Sequence, residues 1–116
     1  SMFIFNGELR GVRIPSEGRI GAEKIYNYIR RFDQGDKCAA TGKAVEIIKK
    51  RSSYVRAMNI ILSDGEQSCL STSYGEDPDY FQMHQKLEQD LHLVCSQPFV
   101  GEQGWTRIDN NTTIDL

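Results

Sequence analysis

Apolar residues recur with a helical period in two segments of the first half of the chain. The first stripe, spaced by four and three residues, predicts a helix over residues 21–32. Its members are Ile25, Ile29 and Phe32. A similar stripe predicts a second helix over residues 41–52, with Thr41 as the residue that caps its first turn. Each helix is therefore expected to pack its apolar face against a hydrophobic core.

The second half of the chain changes to a period of two, which is the spacing of half-buried strands. The predicted strands are residues 57–63, 67–73, 80–86, 91–96, 105–109 and 112–116. Asp64-Gly65 predicts a hairpin turn between the first two of these strands, and Asn110-Asn111 predicts one between the last two. The pattern indicates a mainly antiparallel sheet.

The beginning of the chain adds one short strand to this layout. Residues 3–5 form an apolar run, and Asn6-Gly7 is expected to end it in a tight turn because both residue types tolerate positive φ. The resulting order predicts an α+β fold with two helices on one face of the sheet. Residues 3–116 are expected to form a single domain, and residues 1–2 are interpreted as the scar of a cleaved tag.

Charge and hydropathy exclude several classes of protein. The chain has 14 Lys and Arg residues and 16 Asp and Glu residues, which give a net charge of −2. It therefore lacks the basic excess that is typical of a nucleic-acid-binding protein. Lys49-Lys50-Arg51 is the one basic run. It is typical of a helix end that complements the dipole, with a phosphate patch as the alternative. The longest apolar runs, such as residues 60–62, are far shorter than the ~20 residues of a membrane span.

The cysteines and histidines give little support for a metal site. Cys38, Cys69 and Cys95 are odd in number and widely spaced, which predicts reduced thiols and a cytoplasmic protein. His92 and Cys95 stand three apart on a predicted strand and so point to opposite faces. His84 is expected to be a surface strand residue. We therefore predict neither a metal site nor a cofactor.

Three segments, in order along the chain, resemble class II glutamine amidotransferase domains. Residues 5–9, Phe-Asn-Gly-Glu-Leu, are similar to the Asn-Gly motif at the end of a strand in that family. Residues 58–65 look like its central hairpin, a hydrophobic strand followed by Ser-Asp-Gly. Residues 96–99 and 105–108 resemble its closing segment, in which Ser-Glu/Gln-Pro-Leu precedes a Trp.

This resemblance implies the C-terminal half of an N-terminal-nucleophile fold, a sandwich of two antiparallel sheets between helix layers. In that family an N-terminal Cys attacks the side-chain amide of glutamine, and its own α-amino group is the base. The Asn side chain and the Gly N–H of the Asn-Gly pair stabilise the oxyanion. By resemblance, Asn6 and Gly7 are the oxyanion donors, and a glutamine-like small molecule is the expected ligand.

Two departures from the family pattern predict that this chain is inactive alone. The family's nucleophilic Cys belongs to the half that precedes the Asn-Gly motif, and none of the cysteines here has a free α-amino group. The family also opens the next helix with a Thr-Asp-Ser-Glu-like sequence. Aligned at residues 20–23, Gly21 takes the place of the Asp that binds the substrate ammonium, so this position is degenerate.

Three functions stay open at this point. The first is a partial or degenerate glutamine amidotransferase-like domain, related to glutamine hydrolysis and ammonia transfer. The second is a protein-interaction module that pairs with a missing N-terminal half or with a second copy of itself, because half of a sandwich leaves apolar sheet surface uncovered. The third is an unrelated small α+β enzyme or ligand-binding domain.

Overall fold

The computed structural model describes residues 1–18 and 21–116, and it contains two antiparallel sheets and three helices. The helices are α1 (Gly21–Arg30), α2 (Lys37–Lys50) and α3 (Pro78–Phe81). The strands are β1 (Met2–Arg10), β2 (Tyr54–Ser63), β3 (Ser68–Thr72), β4 (His84–Glu88), β5 (Leu91–Cys95), β6 (Thr106–Arg107) and β7 (Thr112–Asp115). The larger sheet has the order β1-β2-β3-β7, and the smaller sheet has the order β5-β4-β6.

The two long helices cover one face of the larger sheet and form the first core. Ile25 and Ile29 of α1 and Ile48 of α2 are buried there, together with Met58 and Ile60 of β2. The helical period of the first three residues and the alternation of the last two bring all of them to this interface. The predicted α+β fold, with helices on one face of an antiparallel sheet, is confirmed.

The smaller sheet covers part of the other face of the larger sheet. Leu70, Met83 and Ile108 form the second core between them. A buried polar residue of β2, Asn59, also joins the two sides. Its side-chain amide donates a hydrogen bond to the backbone oxygen of Phe81 at 3.0 Å. The predicted chain order therefore folds into two sheets, where the alternation of apolar residues indicated one.

The strand β1 continues through the Asn6-Gly7 pair, so the prediction of a turn there is wrong. Asn6 lies opposite Asn59 and Gly7 lies opposite Met58 in the register of β1 and β2. The strand ends only at Arg10, after an irregularity in the register between Glu8 and Leu9. Pairing with the long strand β2 outweighs the local turn preference of Asn-Gly.

The second helix begins four residues earlier than its apolar stripe indicated. Asp36 caps it, because its carboxylate accepts hydrogen bonds from the backbone N–H groups of Cys38 and Ala39. Thr41 lies inside the helix, where its hydroxyl donates to the carbonyl of Lys37 at 2.7 Å. The assignment of Thr41 as the cap is therefore wrong.

Two of the predicted hairpins have different outcomes. Asp64-Gly65 does connect β2 and β3, and the Asp64 carboxylate accepts the backbone N–H of Gln67 at 2.7 Å, which fixes the turn. The hairpin predicted around Asn110-Asn111 is wrong, because β6 pairs with β4 and β7 pairs with β3. Its two arms belong to different sheets.

The strand predicted over residues 80–86 is divided in the structure. Pro78–Phe81 forms the short helix α3, and the strand begins only at His84. Pro78 has the fixed φ that suits the first turn of a helix. Phe81 is buried, so the alternation in this segment arises from one helical turn followed by a strand.

Cys38 and Cys69 form a disulfide, so the prediction that all cysteines are reduced is wrong for this pair. Cys38 also lies in α2, not between the helices as the stripe suggested. The bond joins α2 to β3, two elements that pack face to face. Cys95 is free and half-buried. In the described part of the chain, no helix has the length and apolar character that crossing a bilayer requires.

Candidate functional site

A cavity of about 580 Å³ lies between β1 and the first turn of α1. Gly7 lines it from the strand, and Gly21 lines it from the helix. These two positions were singled out by separate segments of the sequence. The fold brings them to one cavity, which makes it the candidate site.

Close backbone packing explains why position 7 is a glycine. A Cβ atom on Gly7 would lie 2.1 Å from the carbonyl oxygen of Ala57 in the neighbouring strand. Real Cβ atoms essentially never approach an atom so closely, so any side chain here would push β1 away from β2. Gly7 is therefore required by the fold, independently of any ligand.

The hydrogen-bond pattern of β2 directs the polar groups of Gly7 outward. Met58 exchanges both of its backbone hydrogen bonds with Ser73, at 2.7 and 3.1 Å, on the side of β2 away from β1. Hydrogen-bonded and non-hydrogen-bonded pairs alternate in an antiparallel ladder. Gly7, which lies opposite Met58, therefore directs its N–H and C=O to the outer edge of β1. No strand of the described residues pairs with that edge.

The structure does not bring the side chain of Asn6 into this cavity. Asn6 is exposed, and strand alternation places its side chain on the face of β1 opposite to that of Phe5 and Gly7. It makes no side-chain hydrogen bond with any described residue. Of the two predicted oxyanion donors, the cavity is lined only by Gly7.

Gly21 begins α1 and has free space around it. A Cβ atom added at this position meets no atom within 4 Å, and the residue is exposed. Ile20, which aligns with the Thr of the family sequence, lies outside the described residues. The space around position 21 would accommodate an Asp side chain, so steric crowding does not explain why a carboxylate is absent there.

The remaining wall of the cavity was missed by the sequence patterns. Val12 and Ile14 line it from the segment after β1. Their apolar side chains, two residues apart, were the available signal. Glu8 also lines the cavity, and its carboxylate forms an ion pair with Arg10 at 2.7 Å. The cavity thus has apolar walls with a partly neutralised carboxylate at one side.

No described cysteine lines the cavity. Cys38 and Cys69 are joined to each other, which removes both as thiol nucleophiles. Cys95 lies in the smaller sheet, and burial raises the pKa of its thiol, so the reactive thiolate is less available at neutral pH. The cavity therefore holds no nucleophilic thiol of the described residues.

The structure gives no metal or phosphate site at the described histidines, cysteines and basic residues that the sequence analysis considered. His92 lies on β5, as predicted, and its Nε2 is 2.8 Å from Oε1 of Gln85. Among the described residues, no three His, Cys, Asp or Glu side chains are grouped so that they could hold a metal ion. In the basic run, Lys49 donates a hydrogen bond to Asn111 and pairs with Glu46.

Comparison with known proteins identifies a structural neighbour. No protein-family profile matches the chain, and no curated protein matches it in sequence. Three solved chains match its fold. One, the 2.0 Å crystal structure of a predicted glutamine amidotransferase from Pseudomonas aeruginosa PA01, has a TM-score of 0.65 at 14% identity. The match covers 97% of this chain and 56% of that chain, so this chain spans about half of its neighbour's length.

Proposed function

We propose that this chain is the ligand-binding half of a class II glutamine amidotransferase-like domain with an N-terminal-nucleophile fold. The cavity between β1 and α1 binds a molecule with a glutamine-like side-chain amide. The observation that carries the proposal is that Gly7 and Gly21, taken from two separate motif positions, line the same cavity. The fold shared with a predicted glutamine amidotransferase supports it.

The backbone of Gly7 supplies the chemistry that the ligand amide requires. Its N–H points to an edge without a partner strand, so it is free to donate to the carbonyl oxygen of the bound amide. A preorganised N–H of this kind is the basic component of an oxyanion hole. Asn6, the other predicted donor, directs its side chain to the opposite face of β1, so the proposed contact with the amide rests on the N–H of Gly7.

The proposed module binds the amide but does not cleave it. Cleavage requires an activated thiol next to the amide carbon, and the three cysteines of this chain lie in a disulfide or in the smaller sheet. A thiol brought by another segment or another chain would complete the reaction. The purified chain is therefore expected to release no ammonia from glutamine. Steady release that Asn6→Ala abolishes would contradict this.

Restoring a carboxylate at position 21 tests the binding site directly. Gly21→Asp adds an acceptor for the ligand ammonium, and the space around this position accommodates it. One charge-assisted hydrogen bond contributes ~1.5–3 kcal/mol, so L-glutamine should bind at least about tenfold more tightly in isothermal titration calorimetry.

Gly21→Asn is the matched control, because it has nearly the same shape without the charge. It should leave the affinity for L-glutamine nearly unchanged. The proposal is contradicted if both variants bind L-glutamine no better than the original chain, or if amide shifts on titration avoid residues 5–14 and 21–25. A gain in the Asn variant equal to that in the Asp variant would also contradict the assigned role of charge.

Self-association through β1 is the second candidate function, and the open edge of this strand favours it. Phe3, Phe5 and Gly7 direct their backbone groups outward by the same alternation, while Met2 and Ile4 are 50% and 47% exposed. An antiparallel pair of β1 strands from two copies would satisfy these groups and continue the sheet.

Sedimentation equilibrium distinguishes the two candidates. A dimer that Ile4→Lys dissociates would favour pairing through β1, because a charge on an edge strand opposes it. In that case L-glutamine should compete with dimerisation, since both occupy the N–H of Gly7. A monomer at high concentration contradicts self-association and leaves the binding site untouched.

A further inference from the structure

A second cavity, of about 440 Å³, lies on the smaller sheet, apart from the site between β1 and α1. His84 of β4 and Arg107 of β6 both line it, and they are direct partners across the two strands. Their side chains therefore stand side by side on one face of the sheet. Their sequence neighbours Met83 and Ile108 are buried in the second core, so this face is the one directed away from the larger sheet.

Two exposed residues of opposite charge line this cavity without an ion-pair partner. Arg107 carries a guanidinium and Asp79 a carboxylate, and both residues line the cavity. Neither side chain forms an ion pair or hydrogen bond with any described residue, including each other. The nearby Asp77 behaves differently, since Arg56 binds it at 2.7 Å. Asp79 is therefore left without the kind of partner that its neighbour Asp77 has.

The imidazole of His84 adds an unsatisfied polar group at the same place. Its Nδ1 is buried and has no hydrogen-bond partner among the described residues. A buried polar atom without a partner is rare in native proteins and calls for an explanation. The other nitrogen, Nε2, makes no hydrogen bond with a described residue, and His84 lines the cavity. When a hydrogen is on Nε2, the ring donates to an oxygen beside the guanidinium of Arg107.

We infer that this cavity binds a small zwitterion of the amino-acid type. Arg107 and Nε2 of His84 hold the carboxylate, and Asp79 holds the ammonium. A guanidinium binds a carboxylate through two parallel hydrogen bonds, which is the strongest geometry available to it. An inorganic anion would satisfy Arg107 but would be repelled by Asp79, whereas a zwitterion satisfies both charges. Pro98 and Val100 line the same cavity and offer apolar contact to the methylene groups between them.

A series of ω-amino acids tests both the site and its spacing. Glycine, β-alanine and γ-aminobutyrate are titrated separately into the ¹⁵N-labelled chain at constant ionic strength. The expected result is saturable amide shifts confined to residues 79–84, 96–100 and 107, strongest for the member whose length matches the two charges. Acetate and methylammonium, which each carry one of the charges, should bind at least about tenfold more weakly.

Variants separate the roles of the two charges. Arg107→Gln should weaken both the best ω-amino acid and acetate by at least about tenfold. Asp79→Asn should reduce the affinity for the ω-amino acid to that for acetate, while binding of acetate itself is retained. If Asp79 had only a structural role, its substitution would not weaken binding of the ω-amino acid while leaving binding of acetate unchanged. Lys50→Gln, an exposed lysine at the end of α2, is the control and should change neither affinity.

Three results would overturn the inference. One is the absence of saturable shifts in these residues with every ω-amino acid. Another is binding of inorganic phosphate at least as tight as that of the best zwitterion. The third is an Asp79→Asn chain that is folded, as judged by a dispersed spectrum, and keeps its full affinity for the zwitterion. The L-glutamine titration tests the cavity between β1 and α1. Either proposal can therefore be contradicted while the other is supported.

Discussion

The two faces of the larger sheet are held by different kinds of contact. On the helix face, ten buried residues form one core among those described, and the Cys38–Cys69 disulfide joins α2 to β3. On the other face the core cluster has only three buried members in the described chain, Leu70, Met83 and Ile108. The first face is dominated by apolar packing, and the second face depends more on polar bridges.

Three polar bridges of the second face come from one glutamine. The side chain of Gln82 donates hydrogen bonds to the carbonyls of Met83 and Ile108 at 2.8 and 2.7 Å, and it accepts one from Tyr74 at 3.0 Å. A typical hydrogen bond contributes ~1 kcal/mol net, whereas a fully buried Ile or Leu contributes ~1.5–3 kcal/mol. We therefore expect the smaller sheet to open at a lower free energy than the larger one.

Truncating one isoleucine in each core should give the largest effect and separates the two faces. Ile48→Ala, at a position without solvent exposure, should lower the free energy of unfolding by about 2–5 kcal/mol in urea denaturation. Ile108→Ala should instead accelerate amide hydrogen exchange in β4, β5 and β6 and leave β2 and β3 protected. Equal loss of protection in both sheets would contradict the expectation that the smaller sheet opens independently of the larger one.

Removing the polar bridge of Asn59 should have an intermediate effect. Its amide donates to Phe81 and its oxygen accepts the hydroxyl of Thr72 at 2.5 Å, all within a buried region. Asn59→Ala leaves both partners unsatisfied and should cost about 1–3 kcal/mol in the same denaturation measurement. Thr72→Val is the matched variant, because it removes only one of the two bonds, and it should cost less than Asn59→Ala.

Lowering the pH should give the smallest effect, and only on the helix face. The hydrogen bond from Lys37 lowers the pKa of Asp33, the side chain of Gln67 lowers that of Asp36, and the backbone of Gln67 lowers that of Asp64. A carboxyl whose pKa is lower in the folded chain stabilises it above the unfolded pKa. That contribution is lost as the pH falls through the folded value.

Denaturation should therefore require less urea as the pH decreases below about 4. The change is small because Asp36 and Asp64 are exposed and Asp33 is only half-buried, so water screens these interactions. Asp36→Asn keeps a side-chain acceptor for the first turn of α2 and should flatten the pH dependence. Asp90→Asn, in the exposed turn between β4 and β5, is the control. If the stability of Asp36→Asn depends on pH as strongly as that of the original chain, Asp36 does not contribute to the pH dependence as proposed.

Local patterns predicted the elements better than their partners. The stripe of Ile25 and Ile29 identified α1, and Asp64-Gly65 identified the β2–β3 hairpin, because each signal lies within a few residues. The pairing of β6 with β4, and of β7 with β3, depends on which segments meet in space. A preference for turns at Asn110-Asn111 carries no information on that choice.

The candidate site was predictable only in part for the same reason. The motif resemblance identified Gly7 and Gly21, and both line one cavity. The outward direction of the Gly7 N–H depends on Met58 bonding to Ser73, which no local pattern encodes. The unpaired charges of Arg107 and Asp79 were also invisible, since a charged residue in a sequence gives no sign of whether it will find a partner.

The disulfide changes what cleavage of this chain would do. It closes a ring between Cys38 and Cys69, 31 positions apart, and the exposed Asp64-Gly65 turn lies inside that ring. A protease that cuts at the turn would leave two pieces still linked through sulfur. The helix face would then keep its two halves together after the backbone is broken, and only a reductant would release them.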